Sequence, residues 1–186
     1  MSRFSRMLGA ALLLGGAVSI GATSASASPV QWTLQNFTFI DGATAQGSFV
    51  FDDDTDVFST IAITTSGGTF FGPATYSFTT QFNAPPYIEF GNASPVTLGS
   101  FILDVIIASP LTNAGGIVQV LPGTGPIVVG EDSFYGICGD QACNGGSLAP
   151  LLEGASLTGT AVPEPASLAL FGLGAGLLAL RRRERA

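Results

Sequence analysis

The run Thr44–Thr65, TAQGSFVFDDDTDVFSTIAITT, decides the fold class. Phe49 and Phe51 fall on one side of the chain, and Ile61 and Ile63 alternate with Thr60, Ala62 and Thr64. An apolar period of two is the mark of a strand with one buried face, because successive side chains of a strand point to opposite sides. Between the two alternating runs stands DDDTD, which no core would accept, so the chain must turn there. The stretch predicts two antiparallel strands joined by an acidic turn.

The same pattern extends in both directions. Upstream, Trp32 and Leu34 alternate with Gln31, Thr33 and Gln35, and then Phe37 and Phe39 take over the apolar phase. A shift of one residue in a period-two pattern predicts a bulge near Gln35-Asn36. Asp41-Gly42 reads as a turn, so the three runs form an antiparallel meander. Downstream, Gly67-Gly68 and Pro73 interrupt the pattern before TYSFTTQF, which sets Tyr76, Phe78 and Phe82 on one face. PPYIEF is edge-like, since proline donates no ladder hydrogen bond. VTLGSFILDVIIA has the most buried character, and GGIVQVL, PIVVGEDSFYGI and ASLTGTAV complete eight or nine short strands. The expected fold is all-β, an antiparallel β-sandwich with a β-barrel as the alternative. Residues 28–162 suffice for one core, and neither a sustained helical period nor a fixed repeat interrupts them.

Charge is distributed unevenly. The whole chain carries −7, yet all six basic residues lie at its ends: Arg3, Arg6, Arg181, Arg182, Arg183 and Arg185. Residues 28–162 hold 11 of the 13 acidic residues and no Lys, Arg or His, hence about −11. Nucleic-acid binding, which needs cations against phosphates, is excluded for this part of the chain. So are imidazole-based nucleophilic catalysis, imidazole-based zinc sites and a lysine-dependent phosphate loop. Carboxylate chemistry and hard, oxygen-liking cations remain. A buried carboxylate here must be neutralised by a proton, by hydrogen-bond donors or by a metal ion, because no side-chain cation is available.

Two acidic features stand out. Asp52, Asp54 and Asp56 have the D-x-D-x-D spacing that opens calcium loops, but an EF-hand would continue with Gly and Glu where Val57 and Ile63 stand. A solvated hairpin turn is the expectation, and a weak extracellular Ca²⁺ site at these three residues is the alternative; no other cofactor is expected. Asp104, between Ile102 and Ile106, is expected to point outward from a half-exposed strand and discourage edge pairing, against the alternative of a buried functional carboxylate. Cys138 and Cys143 in CGDQAC are close enough in sequence to close a small disulfide loop in an oxidising compartment. Such a loop is worth roughly 2 kcal/mol. Free thiols or an intermolecular link are the alternatives.

The ends read as addresses. Arg3 and Arg6 precede an apolar run from Met7 to about Ala22, and Ala25-Ser26-Ala27 has the small-x-small form of a signal-peptidase site. Small residues rather than a basic stop at the end of that run favour a signal peptide, residues 1–27, over a retained membrane helix. At the other end, Pro163 and Pro165 keep a helix from starting before Ala166. The fifteen residues Ala166–Leu180 would span about 22 Å as a helix, marginal against a bilayer core of roughly 30 Å. Arg181, Arg182, Arg183 and Arg185 form a cytoplasmic stop by the positive-inside rule. Before processing, the membrane is expected to be engaged only through this C-terminal segment, so that anchoring is transient.

The order of these parts in VPEPASLALFGLGAGLLALRRRERA, Val162–Ala186, resembles the PEP-CTERM sorting signal of Gram-negative bacteria. GATAQGSFVFDDDTDVFSTIAITTSGG, Gly42–Gly68, also resembles small β-rich proteins that carry that tail. The resemblance implies recognition of Pro163, Glu164 and Pro165 by an exosortase, a membrane protease-transpeptidase, in bacteria that make exopolysaccharide or biofilm. Residues 163–186 are then a sorting signal. The expected partners are signal peptidase, exosortase and exopolysaccharide or matrix, and the expected location is the cell surface or beyond it. The expected role is structural or adhesive, without catalysis. A secreted hydrolase using two carboxylates, as glycosidases do, and a permanently anchored surface protein are the alternatives.

Overall fold

The computed structural model describes residues 28–79, 86–123, 131–140 and 146–162. Among these residues, twelve strands form two antiparallel sheets, and neither closes into a barrel. β1 is Val30–Gln35, β2 Phe37–Thr38, β3 Thr44–Asp52, β4 Val57–Thr65, β5 Ala74–Tyr76 and β6 Phe78–Thr79. β7 is Tyr87–Gly91, β8 Phe101–Ile106, β9 Gly116–Gln119, β10 Phe134–Cys138, β11 Gly146–Pro150 and β12 Ser156–Ala161. The first sheet runs β5-β4-β3-β1-β12-β9, with β2 also paired to β3; the second runs β11-β10-β8-β7-β6. The sandwich expectation holds.

The local devices follow the sequence. β1 buries Val30, Trp32 and Leu34 and exposes Gln31 and Gln35. Asn36 adopts φ 58 and moves the inward phase to Phe37 and Phe39; asparagine tolerates this left-handed conformation better than most residues. A second irregularity lies between β3 and β4. Ser48 pairs with Ala62 but Val50 with Ser59, so β4 carries one extra residue there, with Thr60 at φ 49. That bulge brings Phe58 round to the same face as Ile61 and Ile63, where it packs against Phe49, Phe51 and Phe90.

The expected strand TYSFTTQF divides instead of running straight. Tyr76 in β5 belongs to the first sheet and is fully buried, whereas β6 joins the second sheet and leaves Phe78 44% exposed. The chain changes sheets at Ser77, whose N–H donates to Gly91 O, a corner of the kind sandwiches make. Phe82 lies outside the described residues. β11, Gly146–Pro150, has no counterpart among the expected strands. Together with the breaks at Asn36 and Ser77, it accounts for twelve strands where eight or nine are expected.

The core lies between the sheets. Trp32, Phe49, Phe51, Ile63 and Tyr76 of the first meet Ile88, Phe90, Leu103, Val105 and Tyr135 of the second. Phe49 and Phe90 lie with ring centroids 5.1 Å apart across the interface. Each such side chain contributes about 1.5–3 kcal/mol by leaving water. The second sheet is buried on its other face too, where Ile102, Phe134 and Cys138 form a smaller cluster with Val96 and Leu148 against it.

Candidate functional site

The first functional region is the end of the sandwich from which both chain termini leave. β1 and β12 are neighbours in the middle of the first sheet, with Val30 opposite Ala161. The last bond of this ladder runs from Val162 N to Pro29 O, 3.0 Å. Pro163 follows at once and has no N–H to donate. Ser28 and Val162 therefore stand side by side, where residues 1–27 and 163–186 join the domain.

The acidic turn lies at this same end, because Phe51 of β3 pairs with Val30 and Asp52 with Val57. Asp52 organises it. Its carboxylate accepts hydrogen bonds from Thr55 Oγ1 at 2.8 Å, Asp54 N at 3.1 Å and Asn113 Nδ2 at 3.1 Å. Asn113 Oδ1 in turn accepts from Asp53 N at 3.0 Å. These bonds, led by the one from Asn113, hold the Asp52 carboxyl below its usual value. The D-x-D-x-D spacing thus works as a hairpin turn pinned to the loop before β9, and no group of three or more acidic or thiol ligands converges on a point among the described residues.

The opposite end is built around Asp41. Along β3, Ala45 pairs with Phe37 and Phe51 with Val30, so the Phe39–Gly42 turn lies a full strand, about 27 Å, from Pro29 and Val162. Asp41 is buried there. It accepts hydrogen bonds from Tyr135 Oη, from Ala43 N at 3.1 Å and from Phe70 N at 3.4 Å. Its backbone oxygen accepts from Thr69 N. Burial, then the bond to Asp41, push the Tyr135 hydroxyl well above its ordinary pKa. Gly68 is required by this latch, since a Cβ there would overlap the Asp41 carboxylate. Beside the latch, Phe70, Phe71, Ser147 and Leu148 line an open cleft of about 460 Å³. Ile40 and Phe70 are each about 60% exposed, so this tip is apolar.

The third region corrects an expectation. Asp104 does not point into water: it is fully buried on the outer face of the second sheet, directly across from Glu89, which is 2% exposed. The expectation assumed a half-exposed strand, but β8 is covered on both faces. The Tyr87 hydroxyl lies within donating reach of both acids, 2.8 Å from Asp104 Oδ2 and 3.1 Å from Glu89 Oε2. Burial first, and the charge of Glu89 second, raise the Asp104 carboxyl well above its usual value. Burial also raises the Tyr87 hydroxyl, so it stays a donor.

Ala25, Ala27, Cys143, Pro163, Glu164, Pro165, Arg181, Arg182, Arg183 and Arg185 lie outside the described residues. Cys138 is buried at the end of β10. Asp41, Tyr87, Glu89 and Tyr135 are absent from the sequence-level candidates. The available signal was an acid inside an apolar run, YIEF and ILDVII alike, in a domain with no cation to meet it.

Residues 161–183 match the family model of the PEP-CTERM protein-sorting motif. The match begins at the last residue of β12 and includes the Pro-Glu-Pro tripeptide and Arg181–Arg183. It marks the chain as an exosortase-targeted, secreted cell-surface protein. No curated protein and no solved structure matches the chain.

Proposed function

We propose that residues 28–162 are the displayed cargo of this sorting route, a structural or adhesive module of the cell surface or exopolysaccharide matrix that acts by binding. Signal peptidase cuts after Ala27. The C-terminal segment then holds the domain at the membrane with its arginines in the cytoplasm, and exosortase engages Pro163, Glu164 and Pro165. The observation that carries the reading is the sorting motif starting at the end of a central strand, beside the mature N-terminus. With both connections at one end, the apolar tip around Phe70 and its cleft face outward, where a matrix partner can reach them.

A carboxylate hydrolase is the weaker reading. Glu89 and Asp104 are the paired acids such an enzyme would use, but a sugar must touch them, and both are sealed from solvent. Replacing Pro163, Glu164 and Pro165 together by alanine tests the route: we expect the protein to stay in the membrane fraction while the unaltered chain reaches the medium or matrix. Equal release of the two would refute it. Sedimentation with purified exopolysaccharide, compared between the unaltered chain and Phe70→Ala, tests the adhesive role, with binding weakened several-fold in the variant as the expected result.

A further inference from the structure

We propose that Glu89 and Asp104 form a buried proton-binding site, the two carboxyl groups sharing one proton at neutral pH while the Tyr87 hydroxyl donates to them, and that the domain loosens when this shared proton is lost. The geometry is that of a cross-strand pair: β7 and β8 are in register, Glu89 opposite Asp104, and the hydroxyl from Tyr87 reaches both. Among the described residues Asp104 Oδ1 has no hydrogen-bond donor, although the residue is fully buried. Two ionised carboxylates at this spacing out of water would repel strongly, and an oxygen without a donor would carry its full desolvation cost. A proton on one carboxyl removes both problems, turning the pair into a donor and an acceptor.

Among the described residues no side-chain cation is at hand. Residues 28–162 contain no Lys, Arg or His. On β10 the residue opposite Asp104 is Phe134, and on β6 Thr79 pairs with Phe90, the residue after Glu89. Among the described residues, burial, Glu89 and Tyr87 are what act on Asp104. Glu89 and Asp104 face each other across one register position, so a proton placed on either carboxyl serves both.

The sign of the pH dependence follows. A carboxyl whose folded pKa is raised binds more protons folded than unfolded, so its stabilisation is full below the unfolded value, near 3.8 for Asp104, and fades as pH rises through the folded value. Stability therefore falls toward alkaline pH, and unfolding at neutral pH releases the shared proton.

The test uses the full chain in detergent micelles. Calorimetric unfolding at pH 7 in buffers of different ionisation enthalpy counts protons released. We expect about one fewer proton from Asp104→Asn and from Glu89→Gln than from the unaltered chain, and no change from the exposed Asp53→Asn. Equal counts for all four would overturn the proposal. If the two buried variants do not fold, carboxyl carbon-13 shifts of the unaltered chain decide it. One of the Glu89 and Asp104 carboxyls protonated at pH 7 supports the site; both ionised, or a denaturation midpoint that drops on adding a chelator, overturns it, the latter by showing a divalent cation in the proton's place.

Discussion

At the scale of single residues, the fold rests on a few close approaches that composition conceals. Gly159 lies opposite Trp32 in the β1–β12 ladder, and the indole covers it. A Cβ at Gly159 would stand 2.9 Å from two ring carbons of Trp32 and from Val30 Cγ1. Trp32 is fully buried and has nowhere to move. Gly159→Ala should therefore destabilise the domain by about 1–3 kcal/mol, the usual cost of overfilling a packed core, as read by chemical denaturation. A change below about 0.5 kcal/mol would mean that the ring is not held against the backbone there. Asp41 shows the converse. Its burial was not expected, because an Asp-Gly pair announces a turn and turns are normally wet. The carboxylate instead closes the tip of the sandwich, with donors from Tyr135, Ala43 and Phe70 that are distant from one another in sequence.

At the scale of elements, Gly47 is the informative position. It sits inside β3 at φ 129, and a Cβ there would lie 2.1 Å from Ala62 O, a backbone atom that cannot step aside. Gly47→Val combines a strained backbone with a collision beside the β4 bulge. The expected loss is about 3 kcal/mol or more, visible as a lowered denaturation midpoint; an unchanged midpoint would contradict the register given for β3 and β4. Elements marked by alternation were legible in the sequence: β1, β3 and β4 each show a period of two, and the phase shift at Gln35-Asn36 located the break before β2. What alternation does not mark was not legible. β11 is Gly-Ser-Leu-Ala-Pro, with no β-branched or aromatic residue, and it is a strand because β10 pairs with it along its length. The corner at Ser77 was missed because Tyr76 and Phe78 keep their alternation while changing sheets. Asp104 was misread for a third reason. The local pattern showed an acid on a strand, and only the tertiary cover of β8 decides whether that face meets water.

At the scale of the whole molecule, topology and addressing agree. The strand that closes the first sheet between β1 and β9 is the last one, β12, and the sorting motif begins at its final residue. The first sheet is therefore complete only when the chain has been made as far as the start of the sorting motif. The cations follow the same division: they all belong to the two terminal segments, and the domain left after both are removed carries about −11. A net charge that far from zero opposes self-association. It also adds self-repulsion, which weakens the fold as pH rises, in the same direction as the buried Glu89–Asp104 pair. Intact-mass measurement of the protein recovered from outside the cell reads the route directly. The predicted species begins at Ser28 and lacks Arg181, Arg182, Arg183 and Arg185; exported protein that still carries those four arginines would contradict it.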